Sequence, residues 1–280
     1  MNTSYRQILV HLDATKAVPH RLSAALQIAR LNEAALDALY AVTPSFVELP
    51  YAPEIGPMVA ADLVELDERR RAQALEVFGQ VTKGAGPSVR WSQTNEVPTI
   101  GAFAQQALYA DLLVLGQRDR KDEAAAALPP DFVEAVLAAS GRPAVVLPYV
   151  GSSGTIGDVV AIAWKPAPEA ARAVSAAMPF LQRAREVHVL TWGEESEPAV
   201  GGAQLDLASY LRAHGVEATW QRGGPEPEAI GELLLSRVAD LGADLLVMGC
   251  YGHSRAREWV LGGASRTVLA AMTVPVLMTH

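Results

Sequence analysis

Short apolar runs alternate with longer stretches of helical periodicity along the whole chain. Apolar runs bounded by turn residues predict buried strands, and apolar positions recurring at helical spacing predict amphipathic helices. The first half reads as strands over Gln7–Leu12, Ala35–Val42, Ser88–Ser92, Asp111–Gly116 and Ala144–Leu147. Helices are predicted between them over Pro19–Asn32, about Val59–Lys83, Pro98–Tyr109 and near Asp131–Ser140. The second half repeats the plan. Its strands are expected over Asp158–Ala163, Glu186–Thr191, Val216–Trp220, Asp244–Gly249 and Val276–Met278. Its helices are expected over Pro168–Gln182, Ala203–Ala213, Pro227–Leu241 and Ser265–Ala271. Strands alternating with helices predict an α/β fold with parallel sheets.

Three internal echoes argue for duplication. Ala110-Asp-Leu-Leu-Val-Leu-Gly116 matches Ala243-Asp-Leu-Leu-Val-Met-Gly249. Arg142-Pro-Ala-Val-Val-Leu147 matches Val274-Pro-Val-Leu-Met278, and Arg90-Trp91-Ser92 matches Thr219-Trp220-Gln221. The repeat is about half the chain long, far above the period of a solenoid. The predicted domains are therefore 1–150 and 151–280. The joint between them, Pro148-Tyr-Val-Gly-Ser-Ser-Gly-Thr-Ile-Gly157, is rich in glycine and serine and is expected to be flexible. The first copy's helix between its second and third strands is expected to be longer by roughly 20 residues.

Composition narrows the function classes. Half the residues are hydrophobic and 19% are charged, which suits packed globular domains. The formal net charge of -8 disfavours generic nucleic-acid binding, though a local basic site can still take a small anion. Cys250 is the single cysteine, so no intramolecular disulfide and no Cys/His zinc site is expected. The start, Met1-Asn-Thr-Ser-Tyr-Arg-Gln7, lacks a signal-peptide core, and no apolar stretch reaches the ~20 residues that span a bilayer. These features predict a cytoplasmic protein without a membrane partner.

The candidate chemistry lies near the C-terminus. Leu245–Met248 stops at Gly249; Gly252, Gly262 and Gly263 follow, and a helical segment begins with Ala264 and Ser265. A strand, a glycine loop and a helix start suit an anion. Glycines let backbone approach a ligand, and the N–H groups of a helix start favour negative charge. Gly249, Gly252 and Gly262 resemble the Gly-x2-Gly-x9-Gly nucleotide loop of the universal stress proteins, which continues with Ser or Thr; here Gly263 follows. The resemblance extends over both halves. It implies two tandem open parallel five-stranded sheets of strand order 3-2-1-4-5, Rossmann-like and similar to the adenine nucleotide alpha hydrolases. It also implies an ATP-like nucleotide as ligand and a regulatory, non-enzymatic role in stress response.

In such sheets ligands bind beyond the strand ends where strand order reverses. ATP-binding members carry an Asp after the first strand that contacts adenine, and Asp13 matches it. The loop after Gly116 has no second glycine, so the first half is expected to lack a phosphate cradle. The second half shows the converse, a nearly complete loop but Lys165 in place of the Asp. Lysine only donates hydrogen bonds, so it suits a phosphate better than an adenine amine. The predicted binding residues are Lys165, Gly249, Gly252, His253, Arg255, Gly262, Gly263, Ala264 and Ser265.

Blander roles compete at several of these positions. Arg255 and Arg257 either clamp a phosphate or are solvated, with Glu258 balancing their charge. His253 has no partner carboxylate. Trp259 is expected to pack over the loop, and Cys250 to be an inert core thiol. Ser265 either replaces the missing hydroxyl or caps the helix. Asp13 is read as a remnant or a cap. Gly252-His-Ser254-Arg-Ala256 approaches a hydrolase nucleophile elbow, but no Asp follows Ser254 and the one later His is His280. No Walker loop is present.

The last strand of each copy carries apolar side chains, and universal stress domains commonly dimerise through it. The two copies are therefore expected to pair these strands antiparallel as an intramolecular pseudo-dimer; a further homodimer is left open. Two readings stand. One is a regulator that binds a phosphorylated small molecule in the second half. The other is a scaffold of the same fold that binds protein and no nucleotide.

Overall fold

The computed structural model describes residues 4–47, 56–85, 89–150, 154–193, 205–225, 228–250 and 263–280. The chain divides into two compact units, Tyr5–Gly151 and Ser152–His280.

The first unit runs β1 (Gln7–Leu12), α1 (Val18–Asn32), β2 (Ala35–Ala41), α2 (Pro57–Val81), β3 (Val89–Thr94), α3 (Thr99–Ala107), β4 (Leu112–Gly116), α4 (Phe132–Ser140) and β5 (Ala144–Leu147). Its sheet is parallel, in the order β3-β2-β1-β4-β5. The second unit runs β6 (Val159–Ala163), α5 (Pro168–Leu181), β7 (Glu186–Thr191), α6 (Leu207–Ala213), β8 (Thr219–Arg222), α7 (Ile230–Asp240), β9 (Leu245–Gly249), α8 (Gly263–Ala271) and β10 (Val276–Thr279). Its sheet is also parallel, in the order β8-β7-β6-β9-β10. Both units thus take the 3-2-1-4-5 order expected of them.

The sequence explains the layers. β1, β4, β6 and β9 are almost continuously apolar and buried, as central strands covered by helices on both faces must be. β8 lies at an outer edge and is exposed at every position. Proline sits in the first turn of α1, α2 and α5, where its missing N–H costs nothing.

The repeated Ala-Asp-Leu-Leu-Val motif has a structural role. The Asp111 carboxylate accepts from the backbone N–H groups of Arg6 and Gln7, at 2.7 and 2.9 Å. Asp244 accepts from Gly157, Asp158 and Val159, at 2.9, 3.1 and 3.2 Å. In each unit the aspartate before the fourth strand fixes the start of the first. The C-terminal end of the expected joint is fixed in place. Gly157 adopts a φ of +90°, and a Cβ there would meet the Phe180 ring at 2.8 Å. Thr155 Oγ1 also donates to Asp244, so the end of the glycine-serine run is held to the second unit.

Three elements differ from expectation. Val216 does not open a strand: its N–H bonds back to Leu211 O and its side chain is buried, closing α6 behind Gly215. The loop after β4 carries an unexpected 3₁₀ turn, Glu123–Ala127, capped by the Asp122 side chain. α8 begins at Gly263, so Ser265 lies inside its first turn and is not a cap. The longer helix of the first copy is borne out, with 25 residues in α2 against 7 in α6. Among the described residues no helix is long and apolar enough to cross a membrane.

Candidate functional site

In the first unit the crevice lies beyond the paired ends of β1 and β4. It is filled from within. His11, Asp13 and Arg21 are 1%, 2% and 3% exposed. One guanidinium nitrogen of Arg21 donates to Asp13 Oδ2 at 2.9 Å and to Thr15 Oγ1 at 3.4 Å; the other donates to His11 Nδ1 at 3.3 Å. Arginine only donates, so His11 Nδ1 must accept, and the ring proton sits on Nε2, which donates to Ala41 O at 2.8 Å. Burial pushes the His11 pKa down to about 4, so the ring is neutral. Burial works against the Asp13 charge as well, but Arg21 and the Thr15 hydrogen bonds outweigh it and hold that carboxyl below its ordinary range. The Phe103 and Phe132 rings pack against His11, with centroids at 5.3 and 4.5 Å.

The segment after β4 closes the top. Asp122 accepts from the Lys16 N–H at 2.7 Å, and Ala127 O accepts from the Thr43 N–H at 2.9 Å. Gly116 is needed for packing: a Cβ there would lie 2.6 Å from Arg21 Nη1. Asp13 is thus not the helix cap of α1, whose N-cap is Ala17. It is the counterion of a buried arginine, and it also accepts from Thr15 N and Oγ1 at 2.8 and 2.6 Å. The sequence reading missed Arg21 altogether.

The second unit forms the equivalent crevice beyond β6 and β9, with Val160 beside Leu245 and Ala163 beside Met248. The repeat registers the two copies residue by residue. Ala163 stands where His11 does, and Lys165 where Asp13 does. The echo of Leu22-Ser-Ala-Ala-Leu26 in Val174-Ser-Ala-Ala-Met178 carries the register into the helix and puts Ala173 at the place of Arg21. Every member of the buried polar set is replaced. Lys165 is exposed at the end of β6.

Gly249 has a packing reason of its own. A Cβ on it would lie 2.6 Å from Ala170 N and from the Glu169 carbonyl carbon, so the first turn of α5 presses on this glycine. The Glu169 side chain is also close, which disfavours a phosphate directly over Gly249. The close approach that glycine permits here is to the protein's own backbone. Cys250 is buried, and its N–H and Sγ–H both donate to Thr279 O, at 2.9 and 3.0 Å. Thr279 Oγ1 in turn donates to Glu169 O at 2.9 Å.

At the far side of the candidate loop, Gly263 is exposed and Ala264 half-buried, while Ser265 is only 4% exposed. α8 packs closely on α7 where a Cβ on Gly231 would meet Thr267 at 2.7 Å. The structure therefore describes Lys165, Gly249, Gly263, Ala264 and Ser265 of the expected set. Gly252, His253, Arg255 and Gly262 lie outside the described residues, as do Ser254, Arg257, Glu258 and Trp259.

One open cavity of about 490 Å³ lies elsewhere, at the opposite ends of β1, β2 and β3, lined by Arg6, Leu26, Arg30, Glu33, Ala35 and Val89. It has no connection with the strand ends where ligands of this architecture bind. Among the described residues no His, Cys, Asp and Glu group could hold a metal ion.

Two open parallel sheets with reversed strand order at β1/β4 and β6/β9 define a tandem protein of the Rossmann-like class. Residues 159–280 match the model of the universal stress protein family. A universal stress protein from Archaeoglobus fulgidus is similar over 98% of this chain and 97% of its own, at 16% identity and a TM-score of 0.67. A functionally unknown protein from Pseudomonas aeruginosa is similar over 98% of this chain and 92% of its own, at 16% identity and a TM-score of 0.62. At these identities the solved structures speak for the fold. No curated protein matches the sequence. The second unit thus matches the universal stress protein family by sequence, and the full length resembles a solved universal stress protein in fold.

Proposed function

We propose that the second unit binds a nucleotide or another phosphorylated small molecule beyond β6 and β9, and that the protein acts as a regulator without catalysis. The observation that carries this reading is the exchange at the crevice. Ala163 and Ala173 stand where His11 and Arg21 fill the first unit, and an exposed lysine stands where its buried aspartate does. Small side chains leave the strand ends without the first unit's internal salt bridge. A lysine after the first strand suits a phosphate, as do the N–H groups of a helix start. The Glu169 side chain, close to Gly249, disfavours a phosphate directly over that glycine. Gly263 in place of a hydroxyl costs one hydrogen bond, about 0.5–1.5 kcal/mol net, which weakens the site without abolishing it.

A second reading has its own support. The family's adenine-contacting Asp and its glycine loop fall in different copies here, and the Asp is consumed by Arg21. That favours a scaffold which binds protein. Calorimetry on the full chain with ATP, ADP and inorganic phosphate at millimolar concentration separates the two. Heat that is lost in Gly252→Val supports ligand binding. Silence with all three, and no thermal shift, leaves the scaffold.

The proposal keeps the antiparallel pairing of the last strands as an intramolecular pseudo-dimer, resting on the apolar character of Ala144–Leu147 and Val276–Thr279. Small-angle scattering that resolves two independently tumbling units would remove it. A homodimer and a cytoplasmic location are compatible with the reading but not required by it.

A further inference from the structure

The first unit's crevice has the makings of a binding site, and its occupant belongs to the chain. It presents a buried carboxylate, Asp13, a hydroxyl, Thr15, and an imidazole nitrogen, His11 Nδ1. All three turn acceptor atoms toward one planar group, the guanidinium of Arg21. Phe103 and Phe132 wall the imidazole. Gly116 provides the room the guanidinium needs, since a Cβ there would collide with it. The Asp122 bond to the Lys16 N–H straps the segment after β4 across the opening. The fit is incomplete at one atom: Arg21 Nε is buried and has no hydrogen-bond partner.

We infer that the first unit is a guanidinium site that carries its own ligand, with Arg21 reaching in from α1 to keep the crevice closed to external molecules. The chemical class it accepts is a planar cation with several N–H donors, a guanidinium or amidinium. An anion is excluded, because Asp13 is the charge that lines the site. The second unit lacks this device, since Ala173 stands in the register of Arg21. The two crevices would therefore differ in ligand charge as well as in access: one is built for a cation and already filled, the other suits an anion.

The test is chemical rescue in the full chain. Arg21→Ala removes the internal ligand and leaves Asp13 buried without its counterion. Methylguanidinium chloride is then compared with methylurea, its neutral analogue, and with sodium chloride, each at the same low millimolar concentration. The inference expects the melting temperature of R21A to rise by several degrees with methylguanidinium alone, and the wild type not to respond. If R21A does not fold unaided, the yield of folded protein on refolding with methylguanidinium against methylurea carries the same test. Equal behaviour in all three additives, or an equal response in the wild type, overturns the inference. A double variant R21A with Asp13→Ala must lose the selective response; if it keeps it, Asp13 is not the group that holds the cation.

Discussion

Asp13 and Lys165 follow the first strand of their units in the same register, yet the aspartate is 2% exposed and the lysine is open to solvent. The difference extends to their neighbours. His11 and Arg21 become Ala163 and Ala173, so the polar set has changed as a whole. Electrostatics gives the reason. A buried carboxylate needs a partner, and a buried guanidinium needs one as well. Exchanging one member alone would strand the other in an apolar interior. One backbone plan thus carries two different sets of side chains at the ends of its first strands.

The largest effect that can break this comparison comes from Arg21→Ala. Removing one partner of a buried pair typically costs about 3–5 kcal/mol, because the remaining charge is left uncompensated. Denaturant unfolding of the first unit, followed by Trp91 fluorescence, should show a loss of that order. Arg172→Ala, one position before Ala173, should cost far less because the Arg172 side chain is exposed. If R21A cost under about 1 kcal/mol, the range of a surface pair, Arg21 would not be closing anything.

His11 gives the next effect, and it depends on pH. Its folded pKa is depressed from 6.5 to about 4. Between those values the unfolded chain binds a proton that the folded one refuses, so stability falls as pH drops from about 6.5 to about 4. A shift of that size corresponds to about 3 kcal/mol. Asp13 is depressed too, so its contribution is present above the ordinary carboxyl pKa and is lost as pH falls through its lowered folded value. The two windows are consecutive, with histidine first. Stability measured across pH 7 to 4 should decline in the wild type and flatten in His11→Gln, whose longer amide reaches the place of Nε2 and can still donate to Ala41 O. An equally steep decline in the variant would assign the slope to other groups. Ala163 in the second unit contributes no such term.

The glycines closing the fourth strands sharpen the comparison at about 1–3 kcal/mol, the usual range for overpacking. Gly116→Ala would crowd a side chain, Arg21, whereas Gly249→Ala would crowd the backbone of α5. The cost at Gly116 should therefore vanish in an Arg21→Ala background, while the cost at Gly249 should persist whatever surrounds it. A double-mutant cycle on thermal or urea unfolding reads this directly. Additivity between Gly116 and Arg21 would mean that the two do not meet.

Much of this architecture was legible in the residues. Central strands buried on both faces are apolar throughout, so β1, β4, β6 and β9 stood out, and the repeated Ala-Asp-Leu-Leu-Val located the fourth strand of each copy. The role of its aspartate was hidden, because a carboxylate that pins backbone N–H groups looks like any turn residue. Arg21 escaped because a basic residue on a helix is usually solvated. A signal was present all the same: Arg21 is three residues after Val18 and four before Ala25, on the stripe that faces the sheet. A charge on the apolar face of a helix, following an aspartate on the preceding strand end, is the mark of a buried pair. Gly249 was read as an opening toward a ligand because a glycine records only that something comes close. Here what comes close is the first turn of α5. The 3₁₀ turn at Glu123–Ala127 has too short a period to register as a helix.

The smallest expected effect concerns Lys165 and bears most directly on function. An exposed lysine facing a phosphate is worth about 0–1 kcal/mol in the way of surface ion pairs, which corresponds to at most about fivefold in affinity. Lys165→Ala should therefore weaken phosphate or nucleotide binding by that modest factor, and the loss should shrink as salt is raised. Lys165→Asp restores the carboxylate of the first unit but not its partner, because Ala173 offers no guanidinium. The variant should fold normally, keep its new carboxylate solvated and repel the anion more strongly than alanine does. Calorimetric titration of the three proteins with inorganic phosphate tests this order. If Lys165→Asp bound as well as the wild type, the charge after β6 would play no part in choosing the ligand, and the contrast between the crevices would be one of access alone.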